Sequence, residues 1–135
     1  CPFAAHIRKT NPRSDLEEPD LAPHRIIRRG IPYGPEVSYE ENLARKTQQD
    51  RGLLFVCYQS NLDDGFHFIQ NRWANNEGFI FNKPAEPNPG HDPIIGQTAD
   101  AKPRNMAGWS INYPKDRLDL GNPEWVLSNG GEYFF

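Results

Sequence analysis

No stretch of this chain approaches the roughly 18 consecutive apolar residues that a membrane-spanning helix needs. Cysteine is nearly absent as well. Cys1 and Cys57 are too few for a disulfide framework and belong to no C-x-x-C pair, so Cys57, inside an apolar run, is expected as a buried thiol. There is no excess of positive charge: Lys and Arg number 15 against 18 Asp and Glu, a net charge of -3. That balance gives no general attraction to nucleic acid or to anionic membranes. The first residues match neither a secretory signal nor a transit peptide. The chain is expected to be soluble, and a mature or truncated piece of something longer.

Common catalytic signatures are missing too. His24, His67 and His91 have no ligand-like mutual spacing and no cysteine pair beside them, which leaves a zinc site without support. There is no G-x-S-x-G, no phosphate-binding loop and no G-x-G-x-x-G. Neither an internal repeat nor a linker-like boundary interrupts the chain, so one domain is expected over residues 1–135.

What the chain does have is thirteen prolines and eleven glycines, which predict short elements separated by irregular segments. Three Trp, five Tyr and eight Phe argue for a packed core rather than disorder. "PFAAHIRK" predicts a short helix with Pro2 at its first position, ended where Pro12 forces Asn11 out of helical geometry. "HRIIRRGIPYG" predicts a short strand stopped by Gly30 and Pro32. "GLLFVCYQ", residues 52–59, predicts a central strand buried on both faces. Phe66, Ile69 and Trp73 recur at helical spacing and predict an amphipathic helix packed on the sheet, with Asp63 or Asp64 as N-cap and Asn75 or Asn76 as exit. From Asn82 to Arg104 proline and glycine predict a long loop broken only by "DPIIGQ". "GWSINYP" and "GGEYFF" are the last strand candidates.

A few residues have chemical potential, each beside a plainer use. His6 is either a metal-ligating imidazole beside Arg8 and Lys9 or an ordinary polar residue, and spacing favours the latter. Arg28 and Arg29 read as a solvated strand end or as a fixed charge for an anion. Asp92 in "GHDPIIGQ" reads first as a turn carboxylate. Tyr33 and Trp73 read first as packing aromatics.

Five blocks in order, "CPFAAHIRKTNPR", "HRIIRRGIPYG", "GLLFVCYQSNLDDGFHFIQNRWANN", "GHDPIIGQ" and "GGEYFF", resemble the C-terminal half of fungal dye-decolorizing peroxidases. The resemblance implies an α+β, ferredoxin-like half of a dimeric α+β-barrel-type haem peroxidase, an antiparallel sheet with helices on one face. It implies haem b (iron protoporphyrin IX) as cofactor, with His6 as proximal iron ligand and Asp92 as the acid on its far ring nitrogen. Such an acid fixes the tautomer and makes the imidazole more electron-donating, which suits peroxide chemistry. By the same resemblance Arg28 is the distal arginine, Arg8 contacts a haem propionate, and Leu53 and Phe55 shape the apolar wall of the pocket. Alternation along the strand puts those two on one face. Tyr33 and Trp73 match surface radical sites that serve bulky dyes, with Trp73 on a helix rim.

The departures are definite. The family's proton-shuttling aspartate stands in a G-x-x-D-G motif that this sequence does not contain, and the family's N-terminal half and its tail after "EYFF" have no counterpart here. The leading expectation is therefore part of a secreted haem peroxidase that reduces hydrogen peroxide and oxidises dyes or phenolic compounds. It would work with its N-terminal half and without nucleic-acid or membrane partners. A catalytically incomplete haem-binding fragment with a non-enzymatic role is the second expectation, and a structural domain that needs its other half to fold is the third.

Overall fold

The computed structural model describes residues 1–81, 88–98, 103–110, 112, 116–121 and 125–135. These residues form two compact units, Ile26–Tyr58 and a second made of Cys1–Arg25 with Gln59–Phe135. The class is α+β: short helices and two antiparallel two-stranded sheets, with no closed barrel among the described residues.

The first unit is a hairpin. Strand β1 (Ile27–Tyr33) pairs with β2 (Gly52–Tyr58) in one unbroken register, from Ile27 opposite Tyr58 to Tyr33 opposite Gly52. Gly30 and Pro32 were expected to stop β1, yet the strand runs through both. A strand with a neighbour on one side only has N–H groups that need no partner strand, and proline is tolerated at such an edge. The correction for β2 is larger. Instead of a central strand it has one partner among the described residues, and Leu53, Leu54, Phe55 and Tyr58 are exposed. An apolar run records what a strand can bury once covered, and cover is not encoded in the run itself. Cys57, expected buried, is half-buried, and that partial burial raises its thiol pKa.

The excursion between the strands is tied at its base. Helix α3, taken here as Tyr39–Ala44, starts at Ser38 in a capping box with Glu41. Glu41 is buried and also accepts from Arg51 through both carboxylate oxygens and from the backbone N–H of Gln48 and Gln49. The Arg51 guanidinium, followed by these N–H groups, holds the Glu41 carboxyl far below the usual range. Gly34 turns the chain with φ of 97°, and a side chain there would meet the Asp50 carbonyl.

In the second unit, α1 (His6–Thr10) begins later than expected, after a turn in which Ala5 N–H donates to the Pro2 carbonyl. Its end is as read from the sequence: Asn11 sits at φ -149°, ψ 82°, before Pro12. Helix α2 (Glu18–Leu21) follows, flanked by 3-10 turns at Arg13–Asp15 and Ala22–His24.

The helix predicted from Phe66 forms as α4 (Phe66–Phe68) continued by a π-helical segment, Ile69–Ala74. Gly65, rather than Asp63 or Asp64, is the N-cap, and the Gln59 carboxamide accepts the Phe66 N–H at 2.8 Å. Asn75 ends the segment, one of the two expected exits, with its N–H on the Gln70 carbonyl five residues back. Ile69 and Trp73 face inward and pack with Phe79, Ile80, Ala4 and Met106 as the core of this unit. The Trp73 ring stacks on Phe79 at 5.2 Å and meets Phe68 edge-on at 5.5 Å.

Strands β3 (Asn105–Ala107) and β4 (Arg117–Asp119) pair antiparallel, where no strand was expected. "GWSINYP" is not a strand at 108–110, and residues 111, 113 and 114 lie outside the described residues. "GGEYFF" is likewise no strand: 130–135 has no regular structure, and Phe134 and Phe135 are exposed. An aromatic β-prone run with no facing strand among the described residues has nothing to pair with.

Candidate functional site

His6 opens α1 and points Nδ1 at Asp92 Oδ2, 2.9 Å away. The imidazole is partly open to solvent while the Asp92 side chain is sealed. The chain holds Asp92 at every available atom. Its Oδ1 accepts from the backbone N–H of Ile94 and Ile95 at 2.8 and 3.0 Å, closing a turn over "DPII". Its own N–H donates to the Ala74 carbonyl, and its carbonyl accepts from Gly96 N–H and from Arg104 Nη1. Gly90, with φ of 114°, lets the approach pass close to the Asn105 carbonyl, where a side chain would collide.

This leaves Oδ2 as the free valence of a rigid carboxylate, aimed at one imidazole nitrogen. A carboxylate acceptor at Nδ1 selects the tautomer that carries its proton there, so the Nε2 lone pair faces outward. Among the described residues Nε2 has no hydrogen-bond partner. A neutral nitrogen donor backed by an acid is the donor chemistry that suits a haem iron.

Around this pair the structure gives the neighbouring cations different work. Arg8 does not present a free fork: Nε and Nη2 grip Asp15 at 2.7 and 2.8 Å, and Nη1 donates to the Cys1 carbonyl at 2.9 Å. The Asp15 hydrogen bonds raise its pKa further. Lys9, a charged side chain that sequence alone would leave in solvent, is 0% exposed, with Nζ donating to the Trp73 and Asn76 carbonyls. Burial, opposed by the Asp92 and Glu77 carboxylates, lowers its pKa to about 7. The signal that was available is the spacing. Lys9 lies at i+3 from His6, on the same helix face. Arg104, also missed, lies at the end of a segment read as loop and carried no such signal.

The hairpin unit collects the other candidates. Directly opposed residues of an antiparallel pair share a face, and Arg28 opposes Cys57, Gly30 opposes Phe55 and Pro32 opposes Leu53. Leu53 and Phe55 therefore lie on one face, as alternation required, and the register adds Arg28 to it. A side chain on Gly30 would press on Leu53 at 2.9 Å, so the glycine leaves room for the Leu53 side chain. Arg29 and Tyr33 fall on the opposite face, with Tyr33 half-exposed. Trp73 is not on a rim. It is 5% exposed, because its position on the π-helical segment faces Phe79 and Phe68, with His24 edge-on at 5.1 Å.

The family model "Dyp-type peroxidase, C-terminal" matches residues 1–80. A dye-decolorizing peroxidase of Exidia glandulosa is 54% identical over all 135 residues, which span 25% of that protein. An ancestral D-type dye-decolorizing peroxidase structure superimposes with a TM-score of 0.83 at 54% identity, over 93% of this chain and 28% of that one. The crystal structure of a decolorizing peroxidase from Auricularia auricula-judae gives a TM-score of 0.83 at 44% identity, over 97% of this chain and 30% of that one. The α+β ferredoxin-like class expected from the sequence is thus the class of this chain. The chain spans about a quarter of the length of the curated relatives it matches.

Proposed function

The chain belongs to the Dyp-type peroxidase family, and we propose that residues 1–135 are the C-terminal haem-binding domain of a secreted, fungal-type peroxidase. The whole protein would reduce hydrogen peroxide while oxidising dyes and phenolic compounds, with the relatives' additional length supplying an N-terminal half and its acid–base aspartate. The observation that carries this reading is the 2.9 Å bond from His6 Nδ1 to the sealed Asp92 carboxylate, with Nε2 left outward.

Haem b is the cofactor of this reading, its iron suited to an imidazole donor backed by an acid, and when bound it would supply the redox-active iron that peroxide oxidises. In this reading His6 is the proximal ligand. Asp92 holds the Nδ1 proton and keeps the ring from rotating, so that Nε2 presents one fixed direction. Arg28 stabilises the peroxide anion and the negative charge that develops as the O–O bond breaks, through a charge that does not titrate away. Leu53 and Phe55, on the same face as Arg28, exclude water from that anion and so strengthen its attraction to the guanidinium.

Arg8 reaches a propionate most directly through Nη1, whose partner is a backbone carbonyl, because its other edge is committed to Asp15. Tyr33 serves as a surface oxidation site for reductants too bulky for the haem channel. Trp73, if oxidised, acts as an interior relay within its aromatic cluster rather than as a surface site.

The test is haem reconstitution of the full-length protein and its His6→Ala variant, followed by absorption spectroscopy and peroxide-driven dye bleaching. The wild type should show a Soret band of a histidine-ligated ferric haem and bleach dye, and the variant should lose both. An unchanged spectrum in His6→Ala would remove His6 as the ligand.

A further inference from the structure

Lysines normally run their stems along apolar surface and keep the ammonium in water. Lys9 does the opposite, on the same face of α1 as His6. Its Nζ donates to the Trp73 carbonyl at 3.2 Å and to the Asn76 carbonyl at 2.5 Å, the acceptors where the π-helical segment ends. The carbonyl of Ala74, between them, holds the Asp92 N–H. A neutral amide can tie two carbonyls, so these bonds alone do not call for a cation. The carboxylates that act on Lys9 are Asp92 and Glu77. Both Asp92 oxygens are already taken, by His6 and by Ile94 and Ile95, so Lys9 acts on Asp92 through space.

We propose that Lys9 is a positioning residue of the haem site: it locks α1 to the end of the π-helical segment, and its charge limits how strongly Asp92 polarises His6. This rests on His6 being the iron ligand. A carboxylate that draws the Nδ1 proton pushes electron density onto Nε2, favouring ferric over ferrous iron. A cation facing that carboxylate opposes the shift, and it does so strongly because water is excluded. The other ionisable groups nearby are His91, which senses Lys9, Glu77 and Arg104, and Arg104 itself, which holds the Asp92 carbonyl. Since burial lowers the Lys9 pKa to about 7, the effect belongs to acidic solution, where the ammonium is charged.

The experiment is spectroelectrochemical titration of the ferric/ferrous couple at pH 5 in the full-length holoenzyme, for wild type, Lys9→Gln and Lys9→Arg. Lys9→Gln should change the ferrous-to-ferric ratio at fixed potential about tenfold toward ferric, a fall of ~59 mV for a one-electron couple. Lys9→Arg should recover most of it. If Lys9 only ties helices together, the glutamine, which still donates, holds the wild-type midpoint, and the proposal is overturned. A midpoint that rises overturns it as well. Should Lys9→Gln fail to hold haem, Lys9→Met drops the charge at similar length and carries the same expectation. A haem spectrum indifferent to His6→Ala sinks the ligand reading. A spectrum that responds, with unmoved midpoints in the Lys9 variants, sinks only this inference.

Discussion

The two units of this chain solve opposite problems. The helical unit spends its hydrogen bonds inward: Asp92 is sealed and held through both carboxylate oxygens, its N–H and its carbonyl, and Lys9 is sealed on two carbonyls. The hairpin unit binds its own base through Glu41 and Arg51, yet leaves Leu53, Leu54, Phe55, Ile27 and Ile31 exposed. These residues fall on both faces of the hairpin, Leu53 and Phe55 on one and Ile27, Ile31 and Leu54 on the other, and exposed apolar surface of this kind is what interaction sites present. One unit is organised to hold a fixed direction at a single atom, the other to present side chains on both faces of a hairpin. Substitutions should therefore act through stability in the first and through function in the second.

Trp73→Ala is the strongest test of that division. Emptying a site packed by Phe79 and Phe68 is expected to lower stability by about 3–5 kcal/mol, measured by urea unfolding of the full-length protein. A loss under 1 kcal/mol would mean that this cluster is not the core of its unit. Arg28→Leu should reverse the pattern. The melting temperature stays near wild type, because Arg28 is exposed on the hairpin, while kcat for peroxide reduction falls by about 10²- to 10³-fold. Stopped-flow kinetics with peroxide reads that directly, and a rate within threefold of wild type would remove Arg28 from the chemistry. Tyr33→Phe sits at the small end, with a change in stability within about 0.5 kcal/mol. Its expected effect is a selective loss of turnover on bulky dyes while a small phenol is oxidised as before. Equal loss on both would assign Tyr33 to the hairpin's integrity instead.

How legible each region was in the sequence follows the same line. Where the signal is local steric exclusion, as at Asn11 before Pro12, the reading held. The apolar run of β2 announced a strand, but burial depends on what lies over it; alternation gave Leu53 and Phe55 a common face, and only the register adds Arg28 to that face. The π-helical continuation of α4 was not legible, because i to i+5 bonding leaves almost the same apolar spacing as an ordinary helix over two turns. β3 and β4 are three residues each and lie in polar sequence without a periodic pattern.

The His6–Asp92 pair was legible only through family resemblance. Their separation of 86 positions carries no periodic signal, and a turn carboxylate was the plainer reading of Asp92. The burial of Lys9 was not legible, because charge alone argues for solvent. Its neighbours at the end of the π-helical segment, which make burial possible, are more than sixty positions away.

At the centre of the proposed function is an Asp92 that holds the His6 Nδ1 proton and so tunes His6 as the proposed iron ligand. The direct measurement is the iron–imidazole stretching frequency of ferrous holoenzyme by resonance Raman spectroscopy, in wild type and Asp92→Asn. An asparagine keeps the shape but withdraws the negative charge, so the stretch should move to lower frequency and haem affinity or activity should fall about 10- to 100-fold. An identical frequency in the two proteins, with haem retained, would contradict the account.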